Sequence, residues 1–257
     1  IPGVSNVVSN VYSTRRVVLL PQFDPDEWLA TARAEAVSHA LVVPTMLARV
    51  VDHLADGSAH LPALRSLAYG GAPMPVTVLE RALAAFGDTD FVNAYGLTET
   101  SSTIAVLGPD DHRVALASDD PAVRARLGSA GRLLPGVEAE VRYGLLWVRG
   151  EQVSGEYAGM DSVLDDEGWF PTGDLAHIDD EGYLFIEGRA DDTIIRGGEN
   201  VAPAEIETVL LRHPAVAECA VIGLPDEEWG LRIAAVVVAA ADTTEDELRA
   251  WCREHLR

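Results

Sequence analysis

The sequence predicts an α/β protein: a large N-terminal domain, made of a parallel helix-covered sheet plus a small β lobe, and a smaller α+β C-terminal domain. Three observations predict it. Short apolar runs alternate with helically spaced segments over the first hundred residues, the pattern of a sheet whose strands are joined by crossover helices. After Arg142 the pattern changes to short strands separated by turns such as Asp179-Asp180-Glu181-Gly182. After Arg189 a helix, two strands and a last helix follow closely. The expected boundary gives residues 1–188 to the large domain and 189–257 to the small one.

Asp24-Pro25 reads as a helix start, with Asp as N-cap and Pro at the first helical position, followed by Trp28, Leu29 and Ala32 at helical spacing. Ala40 to Val43 is a buried strand that Pro44 ends, and Met46, Leu47, Val50, Val51 and Leu54 mark the next helix. Leu67-Ala68-Tyr69 is a strand broken by Gly70-Gly71. A helix over Val78 to Phe86 leads to the strand Phe91 to Ala94, broken by Tyr95-Gly96. Strands at Leu145 to Val148 and Tyr183 to Ile186 belong to an antiparallel or barrel-like lobe. Pro203 opens a helix carrying Ile206, Val209 and Leu210, and His213-Pro214 stops it. Ala220 to Ile222 and Ile233 to Val238 are strands, and Thr243 with Asp246 resembles a capping box for the final helix.

The bulk numbers exclude several classes. There are 41 acidic and 19 basic residues, a formal charge of −22, and every basic residue is Arg. Such a chain is repelled by nucleic-acid backbones and anionic membranes, so neither is an expected partner. A bound polyanion needs a local cation, a metal ion or backbone amides. No apolar run reaches transmembrane length and no signal-peptide pattern opens the chain. Cys219 and Cys252 lack metal-like spacing and read as reduced thiols, so the expected location is the cytoplasm. The first residue is Ile1, not Met, which suggests a processed or partial sequence.

Three stretches carry chemistry. In Asn93-Ala94-Tyr95-Gly96-Leu97-Thr98-Glu99-Thr100, Tyr95 offers a stacking face, Thr98 a hydroxyl for phosphate and Glu99 a hard oxygen for Mg²⁺. A helix N-cap followed by an acid accounts for Thr98-Glu99 about as well. In Gly168-Trp169-Phe170-Pro171-Thr172-Gly173-Asp174, the carboxylate can accept two hydroxyl donors, as a ribose presents, each worth roughly 1.5–3 kcal/mol. An ordinary turn aspartate is the alternative. The third stretch runs from Gly188 to Glu207. Arg189 there suits phosphate or ribose oxygens, and Gly197-Gly198 lets the backbone approach a ligand. A charged linker would explain Asp191-Asp192 but not the whole string.

In this order the three stretches resemble the adenylate-forming superfamily: acyl-CoA synthetases, aryl-CoA ligases, carrier-protein adenylation domains and luciferases. The resemblance runs from Phe23-Asp24 through Val43-Pro44-Thr45-Met46 and Tyr69-Gly70-Gly71-Ala72-Pro73 to His213-Pro214-Ala215-Val216 and Gly223-Leu224-Pro225-Asp226. It implies that Gly71, Ala72 and Pro73 border adenine and the acid. Asn93 belongs to the same nucleotide-binding set, Tyr95 stacks near adenine, and Gly96 and Leu97 border the acid pocket. It further implies Thr98 on phosphate, Glu99 on Mg²⁺, Asp174 and Arg189 on ribose, and Asp191 as the hinge of the small domain. Arg196, Gly197, Gly198 and Glu199 would face the pantetheine arm of CoA. The implied reaction is ATP-dependent formation of an acyl-AMP with release of pyrophosphate, then transfer to the CoA thiol. The substrate is a small-molecule acid, with Val43 to Met46 and Gly70 to Ala72 suggesting an aryl or medium aliphatic one.

Two family elements are expected outside this sequence: a Ser/Thr/Gly-rich phosphate loop with its lysine before Ile1, and a C-terminal lysine after Arg257. The step from Val141-Arg142 to Tyr143-Gly144 also looks short for the family. The rival readings are a different acceptor (carrier-protein phosphopantetheine or nitrite for diazotisation) and a non-catalytic nucleotide-binding paralogue. A monomer or homodimer is expected.

Overall fold

The computed structural model describes residues 2–54, 57–155, 162–196, 199–226 and 229–256. The chain packs as two compact units. One comprises residues 1–139, 148–170 and 178–185; the other comprises 140–147, 171–177 and 186–257.

The first unit opens with α1 (Pro2–Tyr12) and α2 (Pro25–Ala34), then β1 (His39–Val42), α3 (Pro44–Asp52), β2 (Ser66–Gly70), α4 (Val76–Phe86) and β3 (Asp90–Leu97). It continues through β4 (Ser102–Leu107), α5 (Pro109–Ala117), α6 (Pro121–Ala125) and β5 (Arg132–Leu133). Pro25, Pro44, Pro109 and Pro121 each occupy the first position of their helices, where the missing N–H costs nothing. Asp24 caps α2 as expected, accepting the Glu27 N–H at 3.0 Å. Val43 ends up outside the strand, as the residue before α3.

These strands form one sheet in the order β1-β2-β3-β4-β5. β1, β2 and β3 pair in parallel, as expected. Beyond β3 the sheet is mixed, because β4 pairs antiparallel to β3 and β5 antiparallel to β4. Tyr95-Gly96 does not break β3, contrary to expectation: the strand continues to Leu97 with a bulge between those two residues. Only four residues link β3 to β4, too few for a crossover, so the chain must return antiparallel. The core gathers Leu47, Val50, Leu67, Tyr69, Leu79, Phe91 and Leu127, all wholly buried.

Four further strands, β6 (Val137–Arg142), β7 (Leu145–Gly150), β8 (Phe170–Ile178) and β9 (Leu184–Arg189), make a sheet in chain order. The short step at Tyr143-Gly144 closes as a two-residue turn with φ of 54° and 81°, the left-handed pair that hairpins favour.

The second unit adds β10 (Ile194–Arg196), β11 (Glu199–Val201), α7 (Pro203–Leu210), β12 (Val216–Asp226), β13 (Gly230–Ala239) and α8 (Glu245–His255). β12 and β13 form a long antiparallel pair, and Val221 of β12 is buried in one cluster with Ile194 and Leu210. The capping box of α8 uses Thr244 and Glu247, one residue later than Thr243 and Asp246. Both pairs have the right spacing, but the longer glutamate reaches back to the Thr244 N–H at 2.9 Å.

One polar pair lies inside the first core. His112 Nδ1 donates to the Gly108 carbonyl at 2.7 Å, so its Nε2 accepts the Tyr69 hydroxyl at 2.9 Å. Burial lowers the His112 pKa from its ordinary value and raises that of Tyr69. A histidine held neutral in the folded state adds stability above its unfolded pKa, near 6.5, and that stability is lost as pH falls below it. We expect the melting temperature to fall between pH 7.5 and pH 5 by more in the wild type than in His112→Gln. Equal falls measured by circular dichroism would contradict this.

Candidate active site

The sheet of the first unit presents two of the sequence-marked stretches at its strand ends. β2 runs out at Gly70, where any β-carbon would strike the Ala94 carbonyl of β3. Gly71 follows with φ of 84°, a backbone that side chains rarely adopt. Gly71, Ala72 and Pro73 are exposed in the loop leading to α4. Crowding is similar at Gly96, where a β-carbon would overlap the Ser102 carbonyl, and at Gly131, where it would overlap Val106.

Leu97 pairs with Ser102, so Thr98 to Ser101 form a four-residue hairpin loop. The helix-start alternative for Thr98-Glu99 is thereby excluded. Thr98 is exposed and Glu99 half-buried. Asn93 is held from the side: its Nδ2 donates to the Ser129 carbonyl at 2.9 Å. Ser129 is itself buried, with its hydroxyl donating to the Arg126 carbonyl at 2.7 Å. The Arg126 and Arg132 guanidinium groups both lie over the Tyr183 ring, 4.7 and 4.3 Å from its centre. The Tyr183 hydroxyl donates to Asp111 at 2.6 Å.

In the second unit the structure brings together Asp174 and Arg189, fifteen residues apart. Asp174 lies within β8, only 4% exposed, so it is not a turn aspartate. Arg189 Nη1 donates to Asp174 Oδ1 at 3.0 Å and to the Thr172 carbonyl at 3.3 Å. The Thr172 hydroxyl accepts the Asp174 N–H at 3.1 Å and donates to the Leu146 carbonyl at 2.9 Å. Gly173 between them has φ of 75°, and a β-carbon there would stand 3.2 Å from Arg189 Nη2. Asp191 is exposed in a short 3₁₀ turn, Ala190–Asp192, joining β9 to β10. Arg196 lies over the Trp229 ring at 4.5 Å. Gly197 and Gly198 lie outside the described residues.

Among the described residues no group of three or more His, Cys, Asp or Glu side chains could cage a metal. The Thr98–Ser101 loop offers a hydroxyl and a carboxylate on adjacent residues, oxygen donors of the kind Mg²⁺ takes, and Mg²⁺ keeps several waters and shares phosphate oxygens instead of demanding an all-protein site. No helix among the described residues is long and apolar enough to cross a membrane.

The AMP-binding enzyme family matches residues 2–158, and the AMP-binding enzyme C-terminal domain matches residues 205–257. The chain belongs to the AMP-binding enzyme family. The 2-succinylbenzoate–CoA ligase of Bacillus mycoides (strain KBAB4) is 35% identical over 260 residues, covering 99% of this chain and 53% of that protein. The o-succinylbenzoate CoA synthetase (MenE) of Bacillus subtilis, solved with ATP and magnesium ion, superimposes with a TM-score of 0.81 at 32% identity, over 100% of this chain and 53% of that one. The amide bond synthetase McbA of Marinactinospora thermotolerans gives a TM-score of 0.80 at 35% identity, over 94% of this chain and 50% of that one. This AMP-binding enzyme chain spans about half the length of the curated relatives it matches.

Sequence reasoning overlooked Ser129, Gly131, Gln152 and Ser154, which support the marked stretches from a distance. The Gly128-Ser129-Ala130-Gly131 run was the available signal, since small residues repeated there mark close backbone approach. The crowding at Gly96 gives a direct prediction. Gly96→Ala should destabilise the protein by about 1–3 kcal/mol, because its β-carbon would overlap the Ser102 backbone carbonyl. A urea midpoint unchanged from wild type would show that the hairpin yields.

Proposed function

We propose that the protein containing this chain is an AMP-forming acid–thiol ligase. It uses ATP and Mg²⁺ to convert a carboxylic acid to its acyl-AMP, and then transfers the acyl group to CoA. Similarity along 99% of the chain to 2-succinylbenzoate–CoA ligases carries this reading. In the first half-reaction a carboxylate oxygen attacks the α-phosphorus and the bond to pyrophosphate breaks. In the second, a thiol adds to the acyl carbonyl and AMP departs.

The chain's own residues bind, orient and neutralise. Glu99 and Thr98 would hold Mg²⁺ and phosphate oxygens at the hairpin loop; when bound, the ion would offset charge developing on the phosphates. Asp174 would accept the ribose hydroxyls, with the Arg189 guanidinium aiming its carboxylate. Gly71, Ala72, Pro73, Asn93, Tyr95, Gly96 and Leu97 would border the adenine and the acid. Asp191 would serve as the hinge of a small domain covering 189–257, with Arg196 to Glu199 turned to the thiol. No general base is needed in the first step, because the attacking carboxylate is already ionised; positioning and electrostatics dominate. The reading places the protein in the cytoplasm, in keeping with Cys219 and Cys252 as free thiols.

A second reading keeps the adenylate and changes the acceptor to an amine, which the likeness to the amide bond synthetase McbA favours. Carrier-protein phosphopantetheine remains a further thiol acceptor.

The test uses the intact protein with ATP, Mg²⁺ and a panel of acids that includes 2-succinylbenzoate. Pyrophosphate release is expected with at least one acid, and Glu99→Gln should lower its rate by a factor on the order of 10²–10³. Mass spectrometry after adding CoA or an amine identifies the acceptor. Tight ATP binding without pyrophosphate release from any acid would point instead to a non-catalytic nucleotide-binding protein.

A further inference from the structure

We infer that Thr100 and Gln152 are positioning residues, which hold the Thr98–Glu99 pair in one orientation for the magnesium nucleotide. The inference rests on the proposed function and extends it to two side chains that would touch neither ATP nor metal.

The hairpin loop is strained. Ser101 and Ser102 follow one another with φ of 55° and 121°, which residues with a β-carbon rarely adopt. Such backbone persists only where its surroundings over-determine it. Thr100 supplies the first set of ties. Its hydroxyl is wholly buried, accepts the Leu97 N–H at 2.9 Å, and shares one proton between the carbonyls of Ser102, at 2.8 Å, and Leu97, at 3.0 Å. One side chain thus joins both ends of the loop that carries Thr98 and Glu99.

The second set comes from the segment after β7, some fifty residues on. The Gln152 side-chain amide donates to the Thr103 carbonyl at 2.8 Å, and the Gln152 carbonyl accepts the Ser101 hydroxyl at 2.9 Å. The Ser154 N–H donates to the Glu99 carbonyl at 2.6 Å. Glu99 is therefore anchored through its own backbone, and the residues after it are tied to a separate strand end. Mg²⁺ accepts little deviation from octahedral geometry, so a small drift of this loop would be felt at the metal. Misplacement by about 1 Å can cost on the order of 10²-fold in rate.

The experiment compares Gln152→Leu, Thr100→Val and Thr100→Ser with the wild type in the intact protein. Pyrophosphate release is measured against Mg²⁺ concentration and against acid concentration, with melting temperature taken on the same samples. Gln152→Leu removes the amide donor and keeps the bulk. It should lower kcat by a factor on the order of 10–10² and raise the Mg²⁺ needed for half-maximal rate, leaving KM for the acid unchanged. Thr100→Val should behave alike and Thr100→Ser should restore the wild-type profile. A merely structural role would lower the melting temperature but leave the Mg²⁺ requirement and the kcat of folded protein unaltered, and that result would overturn the inference. Should Thr100→Val fail to fold, Gln152→Leu decides. Absence of release by the wild type would overturn the proposed function and this inference with it. Release by the wild type with an unaltered Gln152→Leu profile would overturn the inference alone.

Discussion

Where a β-carbon of Gly96 would stand, the Ser102 carbonyl already stands, and the same crowding recurs at Gly70 against Ala94 and at Gly131 against Val106. These three approaches bring neighbouring backbones close along β2, β3 and β4 and at the residue before β5. No side chain fits at those three positions, and the loops nearby are held by hydrogen bonds. Asn93 is anchored by the Ser129 carbonyl, and the Thr98–Ser101 loop is closed by the Thr100 hydroxyl. The apolar core around Leu67, Tyr69 and Phe91 supplies the rigidity that makes such backbone geometry tolerable.

The second unit solves a different problem, that of giving a carboxylate a partner while nearly all of it is out of water. The Asp174 carboxylate takes its partner from Arg189, while its own backbone N–H donates to the Thr172 hydroxyl two residues earlier in β8. A buried charge without such a partner is strongly destabilising, so the pair is an obligation of the fold before it is a ligand contact. With no lysine in the chain, an arginine performs this task, and its Nη1 reaches Asp174 and the Thr172 carbonyl together.

Much of this was legible in the sequence because its signals are local. Asp24-Pro25, the apolar run at Ala40 to Val43 and the Pro44 helix start need only neighbouring residues to be understood, and the elements formed there. The mixed sheet was not legible, because Gly96 reads as a strand breaker until the short return from Leu97 to Ser102 is known. The one-residue shift at Thr244 reflects two equivalent spacings that only side-chain reach separates. Asp174 and Arg189 were marked as a pair by family resemblance, yet burial of Asp174 inside β8 was hidden behind a turn-like Thr-Gly-Asp. Gln152 and Ser154 left no trace at all: their ties to Ser101, Thr103 and Glu99 span about fifty residues, and nothing in either stretch names the other.

The left-handed backbone at Ser101 and Ser102 also bears on how the chain can vary. Each such residue costs on the order of 1–3 kcal/mol, a reserve of free energy that glycine would release at once. Glycine at 101 would at the same time delete the hydroxyl that reaches Gln152 and widen the set of shapes open to the loop. Selection for sturdiness and selection for definition thus pull in opposite directions at this single position, and serine there marks the side on which this chain has settled.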